Sequence, residues 1–262
     1  MNARRRALGQ HFLRDVGVAR AIVDLVAPTK HDLVVEIGPG QGALTGELAR
    51  RAGRVVALEV DRALAAGLRT RLPDVEILDA DARTWDYGML VAPSGGRVIV
   101  LGNLPYSVSK PILMALVGAR HAIDEMALML QREVAERLAA PPGGKTYGSL
   151  SVLTQLYCDV RLALRVPPGA FRPPPQVESA VVHLRVLSAP RVDALDERRF
   201  HAVVRAGFAQ RRKTLGNALA SGLGLASDRV RRGLEAAGVD PGRRAETLTI
   251  HEFGSVAAKL PQ

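Results

Sequence analysis

Asp32-Leu33-Val34-Val35-Glu36-Ile37-Gly38-Pro39-Gly40-Gln41-Gly42-Ala43 decides the fold. The apolar run reads as a buried strand. Three glycines end it, and residues 44–51 follow with helical spacing. Glycines at a strand-to-helix turn let the backbone come close to a ligand. Outward from this unit the alternation continues. Residues 16–27 form a helical pattern before it; strand 54–59, helix 63–71, strand 75–78, strand 97–101, helix 110–117 and strand 126–130 follow it. Such alternation gives an α/β fold with a parallel sheet covered on both faces. Residues 160–166 and 179–186 read as two more strands with no helix between them, so one is expected to be antiparallel. The expectation is a mostly parallel seven-stranded sheet. Beyond residue 187 strand signals stop, and residues 200–209, 215–221 and 228–237 are helical in pattern and basic. The chain is therefore divided into a sheet domain, 1–187, and a small C-terminal helical domain, 188–262.

Composition narrows the function. An apolar fraction of 47% over 262 residues supports a sizeable core and excludes a disordered chain. No apolar run is long enough to span a bilayer, and no signal-peptide core follows the basic start Met1-Asn2-Ala3-Arg4-Arg5-Arg6. A cytoplasmic protein without a membrane partner is expected. Cys158 is the only cysteine, so an intrachain disulfide and a cysteine-rich zinc site are excluded, and no metal is expected. The net charge of +10 comes mostly from arginine, which forks onto phosphate, and points to a polyanionic partner. Arginines concentrate at 4–6, at 211–212 beside Lys213, at 231–232 and at 243–244. With aromatics at 4%, an aromatic-platform RNA module is disfavoured.

The glycine turn alone leaves two nucleotide chemistries open. Gly38, Gly40 and Ala43 also fit a dinucleotide fingerprint, and Glu59 stands where its ribose-binding acid falls, so a nicotinamide dehydrogenase is the rival. Glu36, immediately before the glycines, would repel a pyrophosphate but suits an ammonium or sulfonium. Asp79-Ala80-Asp81 ends the third strand and adds negative charge to the same rim. Ligands in open α/β sheets bind at the carboxyl ends of the strands, where these acids fall. An acidic rim on a basic chain suits a cationic cofactor, S-adenosyl-L-methionine, and an anionic substrate.

Asn103-Leu104-Pro105-Tyr106 follows the fourth strand. The Asn103 amide offers two donors and an acceptor. Pro105 confines Leu104 to extended conformations and so fixes the aim of its carbonyl. Tyr106 supplies a flat face. Two acceptors and a ring are what a planar exocyclic amine such as the N6 of adenine requires.

These motifs together resemble the class I, Rossmann-like methyltransferases that dimethylate N6 of adenosine in ribosomal RNA. Leu8-Gly9-Gln10-His11-Phe12-Leu13 is similar to the family's N-terminal segment, in which the usual Asn is often replaced by His, as here. The stretches 130–137, Tyr147-Gly148-Ser149-Leu150-Ser151-Val152, Phe171-Arg172-Pro173-Pro174-Pro175-Gln176-Val177-Glu178-Ser179 and 208–215 also match. The resemblance implies that His11, Leu13, Gly38, Gly40, Glu59, Asp81, Ala82 and Asn103 contact the cofactor. Glu59 would hold the ribose hydroxyls, and Asp81 with Ala82 the cofactor's adenine. Asn103, Leu104, Pro105, Tyr106 and Phe171 would form the catalytic pocket, with Tyr106 and Phe171 flanking the target base. Arg211, Arg212 and Lys213 would contact RNA phosphates. It further implies small-subunit rRNA and the assembling 30S subunit as partners, a monomer, and two adjacent adenosines of the 3′-terminal hairpin loop as targets. The large-subunit branch of the family and a non-catalytic RNA-binding factor stand as further alternatives.

Overall fold

The computed structural model describes residues 11–193 and 196–261. Arg4–Arg6 and residues 8–10 of the N-terminal motif lie outside the described residues.

β1 (Phe12–Leu13) leads into α1 (Val16–Val26), which Asp15 caps by accepting from the Val18 N–H. Ala19, Ile22, Val23 and Val26 form its buried stripe, with the spacing of one helix face. β2 (Leu33–Ile37) is buried throughout, as a strand with covered faces must be. Then come α2 (Thr45–Arg51), β3 (Arg54–Glu59), α3 (Arg62–Arg71), β4 (Glu76–Asp79), β5 (Val98–Asn103), α4 (Ser109–Gly118) and β6 (Glu125–Gln131). α5 (Arg132–Leu138) and α6 (Ser149–Gln155) precede β7 (Cys158–Val166), β8 (Phe171–Arg172) and β9 (Ser179–Val186). The chain closes with α7 (Glu197–Ala209), α8 (Leu215–Leu223), α9 (Ser227–Ala236) and α10 (Ile250–Lys259).

Seven strands form one sheet in the order β4-β3-β2-β5-β6-β9-β7. The pairs β3–β4, β2–β3, β2–β5 and β5–β6 are parallel, and β9 runs antiparallel to β6. The order reverses between β2 and β5, which opens a crevice at their carboxyl ends. A second, two-stranded sheet pairs β1 with β8, setting Leu13 opposite Phe171.

The opposite end of the large sheet is pinned by charge. Arg97 donates to Asp32 through its backbone N–H (2.8 Å) and Nη2 (2.9 Å), to Glu125 (2.7 Å), and to the carbonyls of Val26 and Ala27. Burial opposes ionisation of Asp32. The hydrogen bonds from Arg97 and Thr29 outweigh it and hold that carboxyl well below the usual range. Glu125 also meets His183, whose Nδ1 accepts from Arg161 Nε at 2.8 Å. Each buried charge here has a partner, the condition under which such groups are tolerated.

Contacts divide the chain into two units. One is Met1–Ala135 with Asp159–Val186; the other is Glu136–Cys158 with Leu187–Gln262. The segment between β6 and β7 packs with the C-terminal helices. Gly143 N–H donates to the Glu246 carbonyl, Leu187 N–H donates to the Tyr157 carbonyl, and the Tyr147 ring meets Phe208. Phe208 in turn lies 5.7 Å from Phe253, and Phe200 and Phe253 are fully buried in this second core.

Candidate active site

The glycine turn after β2 adopts backbone conformations that side chains resist: φ is +65° at Gly38 and +56° at Gly40. A Cβ on Gly40 would stand 2.9 Å from the Phe12 ring, which closes directly over the turn. The turn is tied to β3 through Glu59. Gly40 N–H donates to Glu59 Oε2 at 3.1 Å and Asp61 N–H to Oε1 at 2.9 Å. Burial pushes the Glu59 carboxyl upward, and the two N–H groups pull against it. Each oxygen keeps further lone-pair capacity, enough for a pair of sugar hydroxyls.

A cleft opens at the carboxyl ends of β2 to β5. Gly38, Gly40, Glu59, Asp81, Ala82, Asn103, Leu104, Pro105, Tyr106 and His11 all line it. Asp81 is gripped by Arg83, whose Nε lies 3.0 Å from both carboxylate oxygens and whose backbone N–H donates at 2.9 Å. That hydrogen bonding lowers the Asp81 pKa.

At the end of β5, Asn103 Nδ2 donates to the His11 carbonyl at 2.8 Å. The amide is therefore oriented, with Oδ1 left as an acceptor. Leu104 N–H donates to the Met129 carbonyl at 3.1 Å, which holds the peptide against β6. The Tyr106 hydroxyl meets Ser179 Oγ at 2.5 Å, and Ser179 is fully buried at the start of β9. This bond fixes the ring of Tyr106, and burial raises its hydroxyl pKa. His11 stands beside it, ring centroids 5.6 Å apart, with Nδ1 2.9 Å from the Pro173 carbonyl.

Three residues fall elsewhere than the sequence placed them. Phe171 is 4% exposed and belongs to the hydrophobic core with Leu13, because the β1–β8 pairing turns both inward; it does not line the cleft. Leu13 borders a smaller cavity beneath the glycine turn instead. Glu36 borders that same cavity, 1% exposed, with Oε2 lacking a hydrogen-bond partner, so it stands behind the acidic rim rather than on it. Phe12 and Arg83 also line the cleft and Ser179 holds Tyr106, three residues that the sequence reading does not single out. Phe12 lies in the 8–13 stretch and Ser179 at the end of the 171–179 stretch, and Arg83 stands two residues past Asp81. In the second unit, Arg211 Nη2 donates to the carbonyls of Lys145 (3.1 Å) and Tyr147 (3.4 Å) and braces that loop, whereas Arg212 and Lys213 are exposed.

A cation-tolerant cleft with two carboxylates, a glycine cradle and an orphaned buried carboxylate oxygen behind it fits S-adenosyl-L-methionine. The fold and cleft define a Rossmann-like, S-adenosyl-L-methionine-dependent methyltransferase. The family model for ribosomal RNA adenine dimethylase matches residues 1–261. Ribosomal RNA small subunit methyltransferase A of Syntrophotalea carbinolica is 46% identical over 98% of this chain and 97% of its own length. The same-named protein of Geobacter sulfurreducens is 46% identical over 98% and 95%. Among solved structures, a dimethyladenosine transferase from Plasmodium falciparum superposes with a TM-score of 0.80 at 23% identity, covering 94% of this chain and 96% of that one. The 23S rRNA methyltransferase ErmE gives 0.72 at 26% identity, covering 96% and 100%. The chain belongs to the ribosomal RNA adenine dimethylase family. It is an rRNA adenine dimethyltransferase whose cofactor is S-adenosyl-L-methionine, which removes the dehydrogenase alternative. No helix among the described residues is long and apolar enough to cross a membrane.

Proposed function

We propose that the enzyme dimethylates two adjacent adenosines in the 3′-terminal hairpin loop of small-subunit rRNA, late in 30S assembly and as a monomer. The curated relatives that carry the small-subunit name support the choice of rRNA. The observation that carries the chemistry is the oriented Asn103 amide. Its nitrogen is used by the His11 carbonyl, so Oδ1 accepts from the target amine. The Leu104 carbonyl accepts the second N–H. Two acceptors draw N6 from planar toward tetrahedral and expose its lone pair. Tyr106, its ring held by Ser179, stacks on the base. When bound, S-adenosyl-L-methionine supplies an electrophilic methyl group; Glu59 would hold its ribose and Asp81 its adenine. The protein's contribution is then positioning, worth several orders of magnitude when reacting atoms are held near contact. An adenosine in a loop is flipped out at lower cost than a paired one, which favours a hairpin target. Phe171 supports the pocket from the core. Incubating the enzyme with labelled cofactor and undermethylated small subunits, then mapping the label, should place two methyl groups on each of two neighbouring adenosines. Label spread over unrelated positions, or confined to large subunits, defeats the reading.

Arg212 and Lys213, exposed on the second unit, would bind phosphates and set register, leaving the base pocket to read sequence. Arg211 shares this role only with the donors not engaged by the 145–147 loop. Replacing Arg212 and Lys213 together by Gln should weaken RNA affinity and flatten log K against log salt by roughly 1.5. An unchanged slope removes both residues from the RNA interface. Arg211→Gln should also loosen the 145–147 loop, detectable as faster amide exchange there.

A further inference from the structure

One molecule of S-adenosyl-L-methionine carries one transferable methyl group. An adenine dimethyltransferase must therefore exchange its cofactor between the two transfers to one nitrogen. We propose that Arg83 is a displaceable internal ligand of Asp81, which competes with the cofactor's adenine for that carboxylate and so speeds cofactor exchange. The proposal rests on the reading that Asp81 holds the adenine.

A carboxylate offers about four lone-pair sites. Arg83 occupies those of Asp81 with its peptide and its side chain. Its backbone N–H donates to Oδ1 at 2.9 Å, its Nε lies 3.0 Å from each oxygen, and its Nη2 donates to Oδ2 at 2.5 Å. The exocyclic amine of an adenine is a donor and needs one of the same sites. Both side chains line the one cleft, so guanidinium and adenine contend for the same carboxylate.

The surroundings let the guanidinium leave without disturbing the backbone. The Asp81 carbonyl accepts from the N–H groups of Thr84 and Trp85, each at 3.0 Å. The Tyr87 hydroxyl donates to the Ala82 carbonyl at 2.7 Å, and both residues are buried. The Ala80 N–H donates to the Glu59 carbonyl at 3.2 Å, which ties this turn to β3. Asp81 therefore sits in a fixed frame. The Arg83 side chain, by contrast, is 49% exposed and swings into water by rotation of its own torsions. An ion pair this exposed is weak. It is strong enough to contend with one hydrogen bond and too weak to bar the site.

Glu59 supplies the contrast. It accepts from the backbone N–H groups of Gly40 and Asp61, one at each oxygen, and neither can swing away as a side chain does. In the reading above its remaining lone pairs face the ribose. The cleft thus has one fixed acid and one contested acid. When the adenine end of a bound cofactor lifts, the guanidinium recaptures Asp81 and opposes re-closure, so the spent molecule leaves faster. Arg83 acts through Asp81 and is a positioning residue.

Calorimetry and stopped-flow mixing on the full-length enzyme compare wild type, Arg83→Met, Asp81→Ala and the double variant. The ligands are S-adenosyl-L-methionine, S-adenosylhomocysteine and adenosine. Methionine nearly keeps the length of the side chain and removes its donors. Arg83→Met should bind all three ligands roughly three- to fivefold more tightly, the reach of one exposed ion pair. It should release S-adenosylhomocysteine more slowly by about the same factor. In the Asp81→Ala background the same substitution should change affinity less than about 1.5-fold, because the contested carboxylate is gone. Unchanged or weaker binding by Arg83→Met overturns the proposal, and so does an unchanged release rate. A gain confined to the cationic S-adenosyl-L-methionine is a through-space effect of charge and overturns it too, as does a gain that persists in full without Asp81. The underlying reading is tested separately by Asp81→Ala alone, which should weaken adenosine binding roughly tenfold. Undiminished affinity there removes the reading and the proposal together; a loss there with no gain in Arg83→Met removes the proposal alone.

Discussion

Asn103→Ala should lower methyl transfer to adenosine by roughly 10²–10³-fold, the scale on which one preorganised hydrogen-bonding group in an active site is felt. The substitution removes two things at once. The target amine loses the side-chain acceptor that draws it out of plane, and the His11 carbonyl loses its 2.8 Å donor. Asn103→Asp separates the two. It keeps an oxygen for the amine but faces the His11 carbonyl with a second acceptor, so it should also be severely impaired. RNA affinity should stay within about twofold for both, because the exposed cations of the second unit are untouched. Single-turnover rates with cofactor and RNA binding measured in parallel decide the matter. A variant that loses RNA binding in step with its rate would show Asn103 to be structural.

Glu36→Gln should stabilise the cofactor-free enzyme at pH 8 by roughly 3 kcal/mol, seen as a rise in Tm of roughly 5–10 °C. Glu36 lies in the middle of the sheet, between Ala57 and Leu101, with one carboxylate oxygen unpartnered. Burial, aided by the charge of Glu59 and opposed by the neighbouring Thr45, pushes its pKa from 4.5 up to about 7. Below 4.5 the folded and unfolded chains are both protonated and Glu36 has no effect on stability. Between 4.5 and 7 the unfolded chain releases a proton that the folded chain retains, so stability declines as pH rises. Above 7 the full penalty is present. The gain from Gln should therefore be largest at pH 8 and fade toward pH 5, and thermal melts across that range measure it. A gain independent of pH would mean that Glu36 does not hold its proton. A destabilising carboxylate kept beneath the cofactor turn is the kind of trade that functional sites make.

Much of this architecture could be read from the chain. Residues 33–37, 98–103 and 125–131 are nearly continuous apolar runs between glycine and polar breaks, and the strands appear there within a residue or two of expectation. Period and length carry such elements. Other parts depend on partners distant in sequence. The two-residue β1–β8 pairing has no period to betray it, yet it turns Phe171 into the core and sets His11 against Pro173. The helical pattern read from the sequence stops at residue 237, short of α10, although Thr249 and Glu252 form a capping box there. The residue types of the site were legible because they sit at strand ends beside glycines. Their hydrogen-bond assignments were not, since whether the Asn103 nitrogen or oxygen faces the cleft is settled only by the His11 carbonyl.

All residues that line the cleft lie within the first unit, drawn from the N-terminal segment, the ends of four sheet strands and the start of α4. The exposed cations proposed to hold RNA belong wholly to the second. Descent can therefore act on address and on chemistry separately. On the proposed reading, changes among the C-terminal helices would alter which RNA is held while the set Glu59, Asp81 and Asn103 is left intact.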